Sequence, residues 1–208
     1  MSSKVSGATL QRRPLVQKIM EGADDNLLVI AGLGSSNWDI TAAGDRPLNM
    51  PLWGSMGAPV GMGLGLALAQ PTKRVLVITG DGDMLMSLGS LATVATQMPE
   101  NLAIVVLDNE KFGETGNQAT HTSPRNNGPT NSGAGTDLAM IARGCGIADA
   151  TTVREAAEVA ELVKDVRTRK GPVFRLVKVM VEKLEFVMPP QDGAHLKDRF
   201  RQALLGHP

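Results

Sequence analysis

Two kinds of hydrophobic pattern alternate along the chain. Short continuous apolar runs, rich in β-branched residues, are typical of strands covered on both faces of a sheet. These runs occupy residues 27–31, 74–79, 102–107 and 172–181, with a fifth short run near Ile147. Between them, apolar residues recur at helical spacing, most clearly in the segments 57–69 and 85–95. Five strands interleaved with helices predict an α/β fold of three layers, a doubly wound, mostly parallel sheet with helices on both faces.

The length and the pattern together indicate one domain with two flanking segments. The chain has 208 residues, which suits a single domain with extensions. We place the domain at residues 26–182, after a helical lead-in at residues 1–25. Residues 183–208 fall outside the alternating pattern. The small apolar stripe formed by Leu196, Phe200, Ala203 and Leu204 predicts a short packing helix in this tail.

The loops after two buried strands are the expected binding region. Ligands of open α/β sheets bind at the carboxyl ends of the strands, so the loops that follow Thr79 and Leu107 are the first candidates. The second of them opens a polar, glycine-rich stretch, 109–135, in which we predict no regular structure. Connections of this length inside a compact domain are uncommon and usually functional or disordered.

Composition narrows the classes of partner. Lysine plus arginine number 21 and aspartate plus glutamate 21, so the net charge is zero, and aromatic residues make up only 3% of the chain. We therefore expect neither nucleic acid nor a membrane surface as the partner. The single cysteine, Cys145, excludes a disulfide framework or a cysteine-ligated cluster within the chain. With no signal-like run at the start and no apolar stretch of spanning length, we expect a cytoplasmic protein.

The loop after the second predicted strand has the residues of an anion and metal site. In Gly80-Asp81-Gly82-Asp83, glycines beside an aspartate let backbone N–H groups approach a phosphate closely. The helix that follows adds its positive end. An aspartate among phosphate-binding amides is explained if it holds a divalent cation that bridges to the phosphates. Asp81, the amide oxygen of Asn109 and a backbone carbonyl would supply oxygen ligands to Mg²⁺.

The spacing of these groups resembles a known cofactor motif. Gly80-Asp81-Gly82, followed after 26 residues by Asn109, is similar to the thiamine diphosphate motif of the 2-oxoacid decarboxylase and acetolactate synthase superfamily. The segment Trp53-Gly54-Ser55-Met56-Gly57 resembles the part of those enzymes that holds the aminopyrimidine ring. By this resemblance the Gly54 carbonyl accepts from the amino group of the ring and the Met56 backbone bonds the ring. The adaptable Met56 side chain would bend the cofactor into a V shape.

Three segments narrow the resemblance to one group of decarboxylases. Residues 54–57, 80–93 and 115–122 are similar to the β subunits of sulfopyruvate decarboxylase, with the phosphonopyruvate decarboxylases close to them. The similarity covers roughly residues 27–179. Asp83 stands where that group usually has serine, and Asp108 where many members have asparagine. Because Asp83 adds a negative charge near the phosphates, we expect its side chain to point away from them, or the balance of ions to differ.

The resemblance implies a role for each motif residue. The magnesium ligands would be Asp81, Asn109 and the carbonyl of Lys111. The cofactor-binding residues would be Ser35, Ser36, Gly54, Ser55, Met56, Gly80, Gly82, Asp83, Met84, Phe112 and Gly113. Among them, the N–H groups of residues 82–84 would bind the diphosphate, and Phe112 and Gly113 would close over the metal. His121 would bind the substrate anion. Ser35 and Ser36 equally suit a helix N-cap, and a loop histidine is often merely solvated.

The resemblance also implies a partner and a reaction. In these enzymes a glutamate of a separate pyrimidine-binding domain acts on the aminopyrimidine ring, and this chain holds only the diphosphate-binding half. We therefore expect an α subunit that supplies the catalytic glutamate, and we assign no catalytic residue within this chain. Thiamine diphosphate and Mg²⁺ would convert a small anionic 2-oxoacid to an aldehyde and carbon dioxide. Two alternatives stay open: the β subunit of a 2-oxoacid:ferredoxin oxidoreductase, and a non-catalytic cofactor-binding module.

Overall fold

The centre of the fold is a parallel sheet built from the predicted apolar runs. The computed structural model describes residues 8–124 and 135–207. Its strands are β1 Leu27–Ala31, β2 Asn49–Pro51, β3 Arg74–Gly80, β4 Leu102–Asp108, β5 Lys111–Phe112, β6 Gln118–Ala119, β7 Ala150–Val153 and β8 Val173–Lys178. Six of them form one sheet in the order β2-β1-β3-β4-β8-β7, and each neighbouring pair is parallel. β1 and β4 are buried along their whole length, as continuous apolar strands require.

Helices cover both faces of this sheet. They are α1 Arg12–Met20, α2 Ser35–Ala42, α3 Pro59–Ala69, α4 Asp81–Leu85, α5 Gly89–Gln97, α6 Leu138–Gly144, α7 Val159–Thr168 and α8 Gly193–Leu205. One core cluster joins the sheet to α3, α5, α6 and α8, and a second joins it to α1, α2 and α7. This arrangement confirms the predicted three-layer, doubly wound fold. Within the described residues, none of these helices has both the length and the apolarity to cross a membrane.

The sheet contains one strand that was not predicted, and another strand begins later than expected. β2, at one edge of the sheet, comes from the polar segment Asn49–Pro51 and pairs with β1. The strand expected near Ile147 is β7, which begins at Ala150. The continuous helix expected over residues 85–95 is two helices, α4 and α5, because the chain turns at residues 86–88. The sheet therefore has six strands where the pattern predicted five.

The polar stretch 109–135 contains regular structure that its composition concealed. β5 and β6 pair in antiparallel orientation, and a 3-10 helix, Gly113–Thr115, lies between them. The prediction of an irregular loop is therefore wrong for residues 111–119. Residues 125–134 of the same stretch lie outside the described residues.

The two flanking segments pack on the sheet. α1 buries an apolar face in the second core cluster, and Leu10 before it bridges to Val179 after β8. α8 buries Leu196 and Phe200 and leaves Ala203 exposed, which confirms a packing helix in the tail. The domain boundaries at residues 26 and 182 stay a prediction.

The segment between β8 and α8, residues 181–190, is called the C-terminal strap. Arg13 of α1 donates a hydrogen bond to the carbonyl of Glu185 (2.8 Å). The ring centroid of Phe186 lies 4.1 Å from that of Trp38 in α2. The strap also contacts the chain after β2, where the indole N–H of Trp53 donates to the carbonyl of Pro190 (2.7 Å). The tail therefore contacts the segment predicted to hold the aminopyrimidine ring.

Candidate active site

A cavity opens at the carboxyl ends of three adjacent strands, β1, β3 and β4. Its volume is about 250 Å³. The predicted site residues that line it are Ser35, Ser36, Met56, Gly80, Asp81, Gly82, Asp83, Asn109, Lys111, Phe112 and Gly113. The parallel sheet thus brings to one place residues that the sequence distributes over separate segments.

The short helix α4 presents its N-terminus to this cavity. Gly80 is its N-cap, and Asp81, Gly82 and Asp83 follow in its first turn. The first N–H groups of a helix have no partner within the helix, and they carry the positive end of its dipole. This end of α4 therefore offers backbone donors to an anion in the cavity.

Gly82 is required by the packing of an aromatic ring. A Cβ atom built on Gly82 would lie 2.5 Å from Cε1 of Phe112 and 3.6 Å from Cε of Met56. The first of these distances is too short for any side chain, so residue 82 can carry none while the ring stays in place. Phe112 and Met56 thus flank the part of α4 that faces the cavity.

Asp81 is a buried carboxylate that shares its surroundings with a second one. Its Oδ2 accepts hydrogen bonds from the hydroxyl groups of Thr120 (2.5 Å) and Thr122 (2.9 Å). The Thr122 hydroxyl also lies 2.8 Å from Oδ1 of Asp108, and its one proton can serve only one of the two carboxylates at a time. Burial first, and the negative charge of Asp108 second, raise the pKa of Asp81 to about 7.

Asp108 and Glu110 meet Lys178 at the end of β8. The Lys178 Nζ lies 2.6 Å from Oδ2 of Asp108 and 3.2 Å from Oε1 of Glu110, and all three residues are buried. We call Asp81, Asp108, Glu110 and Lys178 the carboxyl-edge cluster. Within these four described residues, three acids face one base. The cluster therefore carries an excess of negative charge whenever its carboxyl groups are ionised.

The oxygens around the cavity fit a hard divalent cation. Such ions are held by carboxylate, amide and carbonyl oxygens, and Asp81 and Asn109 both line the cavity. The Asn109 Oδ1 accepts from the N–H of Lys111 (2.9 Å), which places the two residues in one tight turn. A cation would also offset the charge that raises the pKa of Asp81. Residues 8–124 and 135–207 contain no group of three His, Cys, Asp or Glu side chains suited to a metal, so other oxygens would complete the ligand set.

Asp83 turns its carboxylate toward protein donors. Its Oδ1 accepts from the N–H of Gly57 and its Oδ2 from the hydroxyl of Thr79, both at 2.5 Å. Burial is the largest influence on this carboxyl group and raises its pKa. A Cβ atom on Gly32 would lie 2.1 Å from the Asp83 Oδ2, which explains a glycine at that position. Asp83 thereby ties the end of β3 to the segment that precedes α3.

The predicted aminopyrimidine segment is a tight turn held from two sides. Ser55 and Gly57 both have left-handed backbone conformations, with φ of +55° and +91°. Asp83 holds the N–H of Gly57, and the C-terminal strap holds the indole of Trp53. Between them Met56 is 40% exposed and lines the cavity. A large apolar side chain at this place is available to contact a ligand.

Four predicted site residues do not line the cavity. Gly54 and Ser55 lie in the turn beside it. Met84 packs its side chain in the core, so only its backbone is available to a ligand. His121 follows β6 and is exposed, and its carbonyl accepts from the N–H of Thr136 (2.8 Å). In the chain by itself, His121 stands apart from the cofactor-type residues.

Sequence reasoning missed two charged residues of the cavity, Arg12 and Glu114. Glu114 lies in the 3-10 helix after β5, where its Oε1 would be 2.7 Å from a Cβ atom built on Gly34. Arg12 opens α1 and its side chain is only 7% exposed. A signal for Arg12 exists in the sequence, since a cation in the first turn of a helix opposes the helix dipole. Arg12 and Arg13 at the start of α1 therefore need a reason outside the helix.

Comparison with known proteins agrees with this geometry. The family model described as thiamine pyrophosphate enzyme, C-terminal TPP binding domain, matches residues 34–177. The chain is 39% identical over 142 residues to sulfopyruvate decarboxylase subunit beta of Methanocaldococcus jannaschii, covering 68% of this chain and 70% of that one. It is 32% identical over 197 residues to the subunit of the same name from Methanothermobacter thermautotrophicus, covering 95% and 97%. These similarities confirm the resemblance inferred from the motifs.

A solved structure shows the same fold. The X-ray structure of a thiamin diphosphate-dependent enzyme from Mycobacterium smegmatis matches with a TM-score of 0.67 at 19% identity, covering 83% of this chain. This chain spans about a third of that enzyme, since the match covers 32% of its length. The family model covers more than half of the present chain, and it contains the strand ends and loops around the cavity. The chain therefore belongs to the thiamine pyrophosphate (thiamine diphosphate) enzymes and carries their C-terminal cofactor-binding domain.

Proposed function

We propose that this chain is the diphosphate-binding subunit of a thiamine diphosphate- and Mg²⁺-dependent 2-oxoacid decarboxylase. The substrate would be a short anionic 2-oxoacid, sulfopyruvate first, and the products sulfoacetaldehyde and carbon dioxide. The observation that carries the proposal is the similarity along 97% of a relative named sulfopyruvate decarboxylase subunit beta. Phosphonopyruvate is the nearest alternative substrate, because the motif segments also resemble phosphonopyruvate decarboxylases.

The metal and the diphosphate would bind at the ends of β3 and β4. Asp81, Asn109 and the carbonyl of Lys111 would hold Mg²⁺, and the N–H groups of residues 82–84 would hold the diphosphate. The cation would neutralise a carboxylate that burial otherwise disfavours, so metal and diphosphate should bind together.

Two further pairs of residues would enclose this end of the cofactor. Ser35 and Ser36, at the start of α2, line the cavity and would donate to the phosphates. Phe112, with Gly113 beside it, lies against the first turn of α4 and would keep water from the metal. The support for these roles is their common place around one cavity.

The turn at residues 53–57 would orient the other end of the cofactor. The Gly54 carbonyl and the Met56 backbone would bond the aminopyrimidine ring, with Ser55 between them, and the exposed Met56 side chain would support the bent form. When bound, thiamine diphosphate supplies the electron sink for the carbanion left by loss of carbon dioxide. This chain would bind the cofactor and orient its aminopyrimidine ring.

A pyrimidine-binding α subunit would complete the site. The relatives are named as beta subunits, which implies a partner. That partner would bring the catalytic glutamate to the aminopyrimidine ring. Met56 and Met86 are exposed apolar side chains that line the cavity, and the partner would cover them. His121, exposed in this chain, would bind the substrate anion in the assembled site.

Co-purification followed by a decarboxylation assay tests this proposal. The chain is co-expressed with the product of the adjacent reading frame, and carbon dioxide release is measured with sulfopyruvate, phosphonopyruvate and pyruvate. We expect release from sulfopyruvate that requires both thiamine diphosphate and Mg²⁺. A complex that binds the cofactor yet releases nothing from any 2-oxoacid would contradict the proposal. Reduction of a viologen dye that requires coenzyme A would favour the oxidoreductase instead.

A further inference from the structure

The side chain of Arg12 lies at the junction of two cavities. It lines the 250 Å³ cavity described above and a neighbouring cavity of about 800 Å³ that the C-terminal strap borders. The side chain as a whole is 7% exposed, and its Nε is fully buried. A charged group in this setting is costly unless it is paired and hydrogen-bonded.

The hydrogen bonds of Arg12 are incomplete among the described residues. Its Nε forms an ion pair with Oδ2 of Asp39 at 2.5 Å. Its backbone N–H donates to Oε2 of Glu182 (2.7 Å), which fixes the start of α1. Neither terminal nitrogen of the guanidinium donates to a residue of the two described ranges. A guanidinium has five N–H donors in a fixed fork, so the two terminal nitrogens are available to a ligand in the cavity that Arg12 lines.

The N-terminus of α2 lies on the same wall of the cavity. α2 begins at Ser35, with Gly34 as its N-cap and no side chain bonded to its first N–H groups. Ser35 and Ser36 line the cavity together with Arg12. A carboxylate, that of Glu114, already lies beside Gly34. Arg12 and the start of α2 thus lie on one wall of the cavity, with the carboxylate of Glu114 beside them.

We propose that Arg12 binds the terminal phosphate of thiamine diphosphate, with the start of α2 as its co-ligand; this rests on the proposed function. One wall of the cavity is the start of α4, where the metal would be held, and another is formed by the start of α2 and Arg12. The terminal phosphate bears more negative charge than the bridging one, so it gains more from a guanidinium. Two terminal nitrogens match two phosphate oxygens in the bidentate arrangement that arginine favours.

Arg13 provides a matched control in the same ion-pair group. Its Nε lies 3.0 Å from Oδ1 of Asp39, the carboxylate that Arg12 also contacts. Unlike Arg12, it donates a terminal nitrogen to the carbonyl of Glu185 and does not line the 250 Å³ cavity. Loss of Arg13 therefore disturbs Asp39 and α1 without removing a cavity donor.

Ligand titration of variants tests the proposal. Arg12→Met, Arg12→Lys and Arg13→Met are compared with the unaltered chain, each in complex with its co-purified partner subunit. The dissociation constants of thiamine diphosphate and thiamine monophosphate are measured by calorimetry in the presence of Mg²⁺. We expect Arg12→Met to weaken the diphosphate about 10- to 100-fold, as loss of a charge-assisted hydrogen bond does, and to leave the monophosphate unchanged. For Arg12→Lys, the loss of affinity for the diphosphate should lie between that of Arg12→Met and none. Arg13→Met should change neither of the two dissociation constants by more than about threefold.

The outcomes separate this proposal from the proposed function. If the unaltered complex binds no thiamine diphosphate, the proposed function fails, and the role of Arg12 fails with it. If the unaltered complex binds and Arg12→Met binds equally well, only the role of Arg12 is overturned. Equal losses for both ligands, or the same loss in Arg13→Met, would show that Arg12 merely supports Asp39. Should Arg12→Met not fold, an unchanged preference for the diphosphate in Arg12→Lys, which keeps the charge but not the fork, overturns bidentate binding.

Discussion

Two groups of charged residues on the same sheet, each with buried members, differ in their balance of acids and bases. The carboxyl-edge cluster sets three acids against one base among the described residues. The second group, which we call the paired cluster, consists of Asp149, Asp165, Arg169 and Arg175. In it, a terminal nitrogen of Arg175 lies 2.5 Å from Oδ2 of Asp165 and 2.8 Å from Oδ1 of Asp149. Two acids thus face two bases between α7 and the β7–β8 edge.

The difference appears in the pKa values of the two central aspartates. Burial raises the pKa of Asp81, and Asp108 raises it further, to about 7. Burial also acts on Asp165 to raise its pKa, but hydrogen bonds from Arg169 and Arg175 outweigh it, so the pKa is lowered. The paired cluster is complete without a ligand and supports the fold. In the carboxyl-edge cluster the pKa of Asp81 stays raised, and under the proposed function a bound Mg²⁺ would offset that charge.

The largest effect is expected where a complete pair is broken. Arg175→Met removes the shorter ion pair of the buried carboxylate of Asp165 and leaves it with Arg169, and we expect a loss of about 3 kcal/mol in the free energy of unfolding. Urea denaturation measures this loss. The control is Lys18→Met, which removes an exposed ion pair with Glu21 and should cost less than about 1 kcal/mol. A loss for Arg175→Met no larger than the control would show that the pairing is not what stabilises this edge.

The next effect is expected where the carboxyl-edge cluster loses Asp81, its proposed metal ligand. Asp81→Asn should weaken Mg²⁺-dependent binding of thiamine diphosphate by about 100-fold or more, because even supporting groups of metal ligands are worth 10- to 100-fold. The same change should raise the thermal stability of the metal-free chain, since a buried charge next to Asp108 is removed. Asp165→Asn is the control and should lower stability while leaving cofactor affinity unchanged. Unaltered affinity in Asp81→Asn would mean that the metal has another ligand.

The smallest effect is the pH dependence of stability, which differs in sign between Asp81 and Asp165. The folded pKa of Asp81, about 7, lies above the unfolded value of 3.8, so its stabilising contribution is present below pH 3.8 and is lost as pH rises through 7. The contribution of Asp165, whose pKa is lowered, is present above pH 3.8 and is lost only as pH falls further. Between pH 5 and pH 8, the metal-free chain should lose about 2 kcal/mol relative to Asp81→Asn. Urea titrations at both pH values measure this, and a constant difference between the two chains would contradict it.

Much of the fold could be predicted because its strands are local patterns. The runs that became β1, β3, β4 and β8 are apolar on both faces, and a parallel sheet buries both faces. β2 carries no such pattern, since Asn49–Pro51 is a strand only through its pairing with β1. The break between α4 and α5 was hidden because apolar residues keep helical spacing across residues 86–88. Helical periodicity records which face is buried and does not record a turn.

The site residues also fall into those that a local pattern predicts and those that only the folded chain brings together. Asp81, Gly82 and Asn109 stand directly after apolar strands, so their common edge followed from the fold. The pairing of Arg12 with Asp39 and the Trp53–Pro190 contact join distant parts of the chain, so the sequence shows at most an arginine at an unfavourable helix position and not what it contacts. The donors that hold the Asp83 carboxylate were equally hidden, because Gly57 and Thr79 approach it only in the folded chain.

The contact between Gly82 and Phe112 limits the order in which this site can change over evolution. A methyl group at residue 82 would lie 2.5 Å from the Phe112 ring, so alanine there requires the ring to move. A smaller residue at 112 would make room for a side chain at 82, at some loss of cover over the start of α4. The two positions should therefore tend to vary together among descendants of this sequence.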